Sequence, residues 1–242
     1  MRGDIGWALI LAIGVAAGGF LAGNGFARAK SGDRFVTVKG IAEREARADL
    51  AIWPLRLSAA DNDLSRAHAQ LQASVAKVQA FLPDHKLDPA QASLQDFSVS
   101  DASTNQFDSG RATSRYVIHE TMVVRSTQPE VVLEASQRVA ELVNAGVVLS
   151  SGSNEMPGGG GPTFVFSGLN KLNPEMLAEA TARAREAAEQ FARDSRTTVG
   201  AIRQANQGVF EILPRDQAQG IAESSQIAKT VRVVSTVEYF LR

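Results

Sequence analysis

The sequence predicts an α+β fold with largely antiparallel sheets, carried on one N-terminal transmembrane helix. Three observations predict it. Residues 5–27 hold no ionisable side chain. Three later stretches repeat apolar residues at helical spacing, and pairs of short runs rich in Val, Ile, Thr and Phe lie between them. Each helix follows a strand pair, in the order β-β-α-β-β-α-β-β-α-β-β, which favours antiparallel pairing.

At about 1.5 Å per residue, residues 5–27 make a helix of roughly 35 Å, against a bilayer core of about 30 Å. Trp7, Leu9, Leu11, Ile13 and Phe20 are the residues expected in the membrane, and Arg28, Lys30, Asp33 and Arg34 follow at once. Two readings stay open. One is an uncleaved signal anchor; the other is a secretory signal peptide cut after Ala29, where Ala27-Arg28-Ala29 fits a small-x-small site. The apolar run is longer than the core of a signal peptide, which favours the anchor. Basic residues flank both ends, so the positive-inside rule gives no vote; the very short N-terminal flank favours an exported body. The expected organisation is an anchor over 1–29 and one exported domain over 30–242.

A net charge of −1 leaves no electrostatic footprint for nucleic acid. The chain has no cysteine, which excludes disulfides, thiolate metal sites and a cysteine nucleophile.

The elements follow in order. Residues 35–40 read as a strand closed by Gly40, and 41–46 as a turn carrying Glu43, Arg44 and Glu45. Residues 49–60 read as a strand covered on both faces and, because Pro54 cannot donate to a ladder, near a sheet edge or bulged there. Residues 61–81 alternate as an amphipathic helix capped by Asp61 or Asn62, with Leu64, Leu71, Val75, Val78 and Leu82 inward. Two long strands, 91–103 and 115–126, flank a polar tip and form a hairpin. Thr127-Gln128-Pro129-Glu130 reads as a capping box for a helix to about residue 144, with Val132, Ala135, Val139, Leu142 and Val143 inward. Strands are expected at 147–151 and 163–169, around a loop holding the glycines at 158–161. The third helix runs from Asn173-Pro174-Glu175 to about residue 198, with Ala180, Ala184, Ala187, Ala188 and Phe191 inward. Strands over 201–213 and 226–241 close the chain, separated by a polar segment; the last alternates Ile227, Val231, Val233 and Val237 against, in part, Lys229, Arg232, Thr236 and Glu238.

The order of these pieces resembles the SIMPL-domain family of bacterial envelope proteins. The residues that carry the resemblance are Val36-Thr37-Val38-Lys39-Gly40, Ala48-Asp49-Leu50-Ala51, the strand at 116–124 with its following helix, Phe164-Val165-Phe166, the Ala-rich helix at 177–191, and Val231-Arg232-Val233 with Tyr239-Phe240-Leu241. The resemblance implies an exported or tethered protein, ring-like oligomers in some members, and links to envelope or oxidative stress. It implies no agreed activity and carries over no catalytic residue.

No pattern in the chain points to catalysis. The glycine-rich loop lacks the Lys-Ser/Thr and the helix start that a phosphate cradle needs. His68, His85 and His119 share no metal-ligand spacing, and no Gly-x-Ser-x-Gly elbow occurs. No catalytic residue, cofactor or metal is therefore assigned. The hairpin is the candidate for function, through Phe97, Phe107, Tyr116 and Ile118. Two strands alone are marginal in water, so it should rest on the domain or on another subunit. The expectation is a membrane-tethered, inner-membrane-anchored envelope protein with its main domain in the periplasm, forming a homo-oligomer and acting by assembly or binding. The rival readings are a small-molecule binder or hydrolase with a cleft between sheet and helices, and a chaperone-like binder of client strands at an edge near Pro54.

Overall fold

A computed structural model describes residues 34–101, 114–150 and 161–242, together with Gly14, Ala16, Gly18 and Gly19, which are helical. The expected membrane residues Trp7, Leu9, Leu11, Ile13 and Phe20, the hairpin-tip Phe107 and the glycines at 158–160 lie outside the described residues. Among the described residues no helix is long and apolar enough to cross a membrane.

The chain runs β1 (Phe35–Arg47), β2 (Leu50–Asp61), α1 (Leu64–Asp84), β3 (Ala92–Asp101), β4 (Tyr116–Ser126), α2 (Pro129–Gln137), α3 (Ala140–Asn144), β5 (Thr163–Val165), α4 (Leu169–Asp194), β6 (Val199–Gln207), β7 (Glu211–Pro214) and β8 (Ala228–Leu241). One sheet has the order β3-β4-β2-β5; the other has β1-β8-β6, with β7 also paired to β8. The pairs β2–β4, β2–β5, β3–β4, β6–β8 and β7–β8 are antiparallel. The α+β class with antiparallel sheets and three helical regions is the one expected, but the order of elements differs in detail.

Each difference has a local cause. The expected turn at 41–46 is the second half of β1: Ala42 is buried, and the strand continues through Glu43, Arg44 and Glu45 with both faces open to solvent. The expected capping box does not form. Gln128 holds the cap position without a side-chain bond, and Glu130 pairs with Arg47 at 2.7 Å instead. The second helical region breaks at Arg138–Val139, just after Ser136 turns its Oγ back onto the Leu133 carbonyl at 2.7 Å. Val143, expected inward, is exposed in consequence. Of the strand expected at 147–151, Ser151 lies outside the described residues, and the rest is joined to β2 by a bridge between Leu57 and Leu149. The strand expected over 201–213 divides at Gly208, where a Cβ would lie 2.4 Å from the Val234 carbonyl oxygen. β2 is an inner strand rather than an edge, and Pro54 falls between its short pairing with β5 and the bridge at Leu57.

The chain falls into two units. One comprises residues up to Ala42, Glu175–Phe210 and Val233–Arg242. Its core joins Ala184 and Ala188 of α4 to Val36, Val237 and Tyr239. The buried stripe of α4 is Met176, Ala180, Ala184, Ala188 and Ala192; Ala187 and Phe191, expected inward, are exposed. Small residues let the α4 backbone lie directly on β1. A Cβ added at Gly40 would meet the Ala180 carbonyl oxygen at 1.8 Å and the Ala184 nitrogen at 2.4 Å. Gly40 is therefore the seat of a helix, not the end of a strand.

The other unit is Glu43–Pro174 with Glu211–Arg232. Its core gathers Trp53, Leu55 and Leu57 of β2, Leu71, Val78 and Leu82 of α1, and Ile118, Met122 and Val124 of β4. Trp53 meets Phe81 edge-on at 6.4 Å. Lys229 is fully buried here, on the same side of β8 as Val231 rather than on the polar side. Its Nζ donates to the carbonyl oxygens of Phe164 (2.9 Å) and Glu223 (2.5 Å) and pairs with the Glu223 carboxylate. All three of its N–H groups thus have acceptors, which is the condition for burying an ammonium.

Candidate functional site

The site is built from the outer half of the sheet in the second unit. β4 pairs with β2 along its whole length, from Ala51↔Ser126 to Asp61↔Tyr116. β3 lies on the far side of β4 as an edge strand. A polar corner fixes the start of β4: the Asn62 Oδ1 accepts from the Arg115 N–H at 2.9 Å, and the Arg115 guanidinium lies 4.9 Å over the Tyr116 ring. Beside it, Asp61 accepts from the Asp63 N–H and from Arg66. The Asp63 amide first, and then the Arg66 guanidinium, hold the Asp61 carboxyl below its ordinary range.

The β3–β4 register breaks in the middle. Gln95 faces Thr121 and Ser98 faces His119, so Asp96 and Phe97 together oppose Glu120. This is a β-bulge, and Asp96 sits in it at φ 53°, a conformation that an Asp tolerates better than most residues. The bulge turns Phe97 toward α1, where its ring meets the His68 ring edge-on at 6.3 Å.

Glu120 is the unexpected residue. It alternates with Ile118 and Met122, both buried in the core, and it is itself only 8% exposed. Its Oε2 has no hydrogen-bond partner among the described residues. Leaving a buried carboxylate oxygen unpaired costs on the order of several kcal/mol. Around it the surface is apolar and open: Leu94, Phe97 and Val99 of β3 are each roughly half exposed, as is Leu64 at the start of α1. β3 is exposed through its whole middle, from Ser93 to Ser100.

Of the four hairpin residues expected to act, Phe97 is on this surface, Tyr116 is half-buried beneath Arg115, Ile118 is in the core, and Phe107 lies outside the described residues. Leu64 was expected inward, and Leu94, Val99 and Glu120 were not singled out. The period-2 pattern Ile118-x-Glu120-x-Met122 was the available signal, because it places a charge on the apolar face.

The remaining candidates are scattered. His68 and His119 are exposed, whereas His85 stacks on Phe81 at 3.9 Å and reaches Glu141 at 3.3 Å. Among the described residues no group of three or more His, Cys, Asp or Glu is placed to hold a metal. An open groove of about 380 Å³ runs between residues 90–93 and 125–127, with Arg125 as its one charge.

The family model for SIMPL, described as a protein of unknown function (DUF541), matches residues 36–239. The chain belongs to the SIMPL family. The match starts in β1 and ends in β8, so it spans both units and the whole of the β3–β4 pair. No curated protein matches the chain. Membership in SIMPL carries no reaction with it, which leaves the chemistry of the surface to speak for function.

Proposed function

We propose that this SIMPL chain is a membrane-tethered envelope protein that acts by association, without catalysis, and that the β3 edge is its contact with a second copy. The carrying observation is the edge itself: a strand paired on one side only among the described residues, exposed along its middle, with Leu94, Phe97 and Val99 open to solvent. Such an edge supplies main-chain hydrogen bonds and an apolar surface together. The tether rests on the apolar run at 5–27, whose length matches a bilayer.

The test is the mass of the full chain in a mild detergent, by light scattering at several concentrations. A discrete oligomer that dissociates on dilution supports the reading. A strict monomer across the range ends it. The same preparation tests the tether: the chain should stay with membranes through an alkaline carbonate wash, and release by that wash would refute a spanning anchor.

A further inference from the structure

The β3 edge is poorly suited to pairing with itself. Asp96 and Asp101 lie on it, Glu120 stands behind its bulge, and it carries no Lys or Arg. Two such edges would bring together six carboxylates, with Arg115 at 3.4 Å from Asp101 in each copy to set against them. A bulge and an inward-pointing charge are also devices by which edge strands resist their own copies. The surface instead asks for a strand that presents a cation flanked by apolar residues on one face.

This chain holds such a strand. β1 is the other long edge, at the open end of the order β1-β8-β6. Along its exposed face lie Phe35 (44% exposed), Thr37, Lys39 and Ile41 (43% exposed). Lys39 is exposed and has no ion pair or hydrogen bond among the described residues. On a strand, positions 35, 37, 39 and 41 point to one side, so the ammonium shares that face with Ile41 two residues on and Phe35 four residues back, with Thr37 between.

We propose that assembly is head-to-tail: β1 of one copy adds to the β3 edge of the next, with Lys39 entering at the bulge to pair with Asp96 and Glu120, and Phe35 and Ile41 lying on Leu94, Phe97 and Val99. Phe97 turns outward over the incoming strand and opens the way to the Glu120 carboxylate. This rests on the proposed function and adds to it the identity of the mating surface. Because the two patches differ, the contact is heterologous, and an open row of copies keeps one free edge at each end unless a ring closes.

The experiment uses two full-length variants that each lose one edge. K39E/I41E blocks β1, and L94K/V99K blocks β3; all four positions are exposed, and circular dichroism checks that each variant is folded. Each variant alone should be monomeric, and an equimolar mixture should give a one-to-one dimer and nothing larger. E120Q, which keeps the shape and removes the charge, should raise the dissociation midpoint of the otherwise wild-type chain about tenfold. If K39E/I41E alone still assembles, β3 pairs without β1 and the inference fails. If L94K/V99K alone assembles, β3 is not the surface and it fails too. A wild-type chain that is itself monomeric removes the proposed function as well, so the two failures are told apart.

Discussion

Replacing Gly40 by alanine is the sharpest probe of how the first unit is built. The new methyl carbon would stand 1.8 Å from the Ala180 oxygen and 2.4 Å from the Ala184 nitrogen. Carbon and oxygen need about 3.5 Å, so helix and strand must separate by roughly 1.5 Å. That separation reaches beyond one contact, because Ala180, Ala184 and Ala188 form one buried stripe. Overpacking that forces backbone to move costs about 3 kcal/mol, the upper end of its usual range. For a chain of this size the loss corresponds to a fall in melting temperature of roughly 10 °C. Thermal and urea unfolding of G40A against wild type measure it. A second variant tests the cause. The obstructing atoms are backbone, so A184G cannot relieve the clash, and the double variant should lose about 1 kcal/mol more as a helix glycine. A loss below about 0.5 kcal/mol for G40A, or rescue by A184G, would refute the claim that backbone rests on backbone here.

Three further outcomes follow from particular side chains. K229M removes the ammonium that joins the Phe164 and Glu223 carbonyl oxygens and the Glu223 carboxylate; urea unfolding should show a loss of about 2–4 kcal/mol, and a neutral result would mean that the strap is dispensable. S235A removes a buried hydroxyl that has no hydrogen-bond partner among the described residues, so it should leave stability unchanged or raise it by up to about 1 kcal/mol, whereas a loss above that would reveal a bond from Ser235 Oγ. Acid should destabilise the fold through Asp61, Glu130 and Asp216, whose carboxyls are held low by the Asp63 amide with Arg66, by Arg47 and by Arg215 respectively. Because their folded values lie below the unfolded ones, their contribution is complete above the ordinary carboxylate range and is lost as pH falls below about 4. The melting-temperature gap between wild type and D61N should therefore narrow as pH falls below about 4, and a gap that stays constant would remove Asp61 from the account.

Much of this fold was legible because the apolar pattern and the elements agree. Leu71, Val75, Val78 and Leu82 repeat at helical spacing and are all buried on α1. The hairpin was legible for the same reason, since residues 116–126 can satisfy a sheet on two sides. What stayed hidden depended on distant partners. Glu130 reads as half of a capping box until Arg47, far away in sequence, takes its carboxylate. Lys229 reads as a solvent-facing charge until Glu223 and two carbonyls surround it. Phe191 and Ala187 follow the helical period closely enough to look inward, but α4 buries only a narrow stripe, and they fall beside it. The site was half legible. Phe97 stands out as an aromatic in a polar strand, whereas the bulge that aims it at His68 is a matter of register, which local sequence does not specify.

The interleaving of the two units has a consequence for synthesis. β1 and β8 each contribute residues to both units, and the Leu241 N–H donates to the Arg34 carbonyl oxygen at 2.8 Å. The first strand of the body cannot gain its central neighbour until almost the whole chain has been made. During translation, β1 must therefore wait as an open edge with its glycine seat empty. Contacts this distant in sequence slow folding, and an exposed strand awaiting its mate invites the wrong one. A factor that shields β1 on the nascent chain would thus guard the fold at its most vulnerable moment.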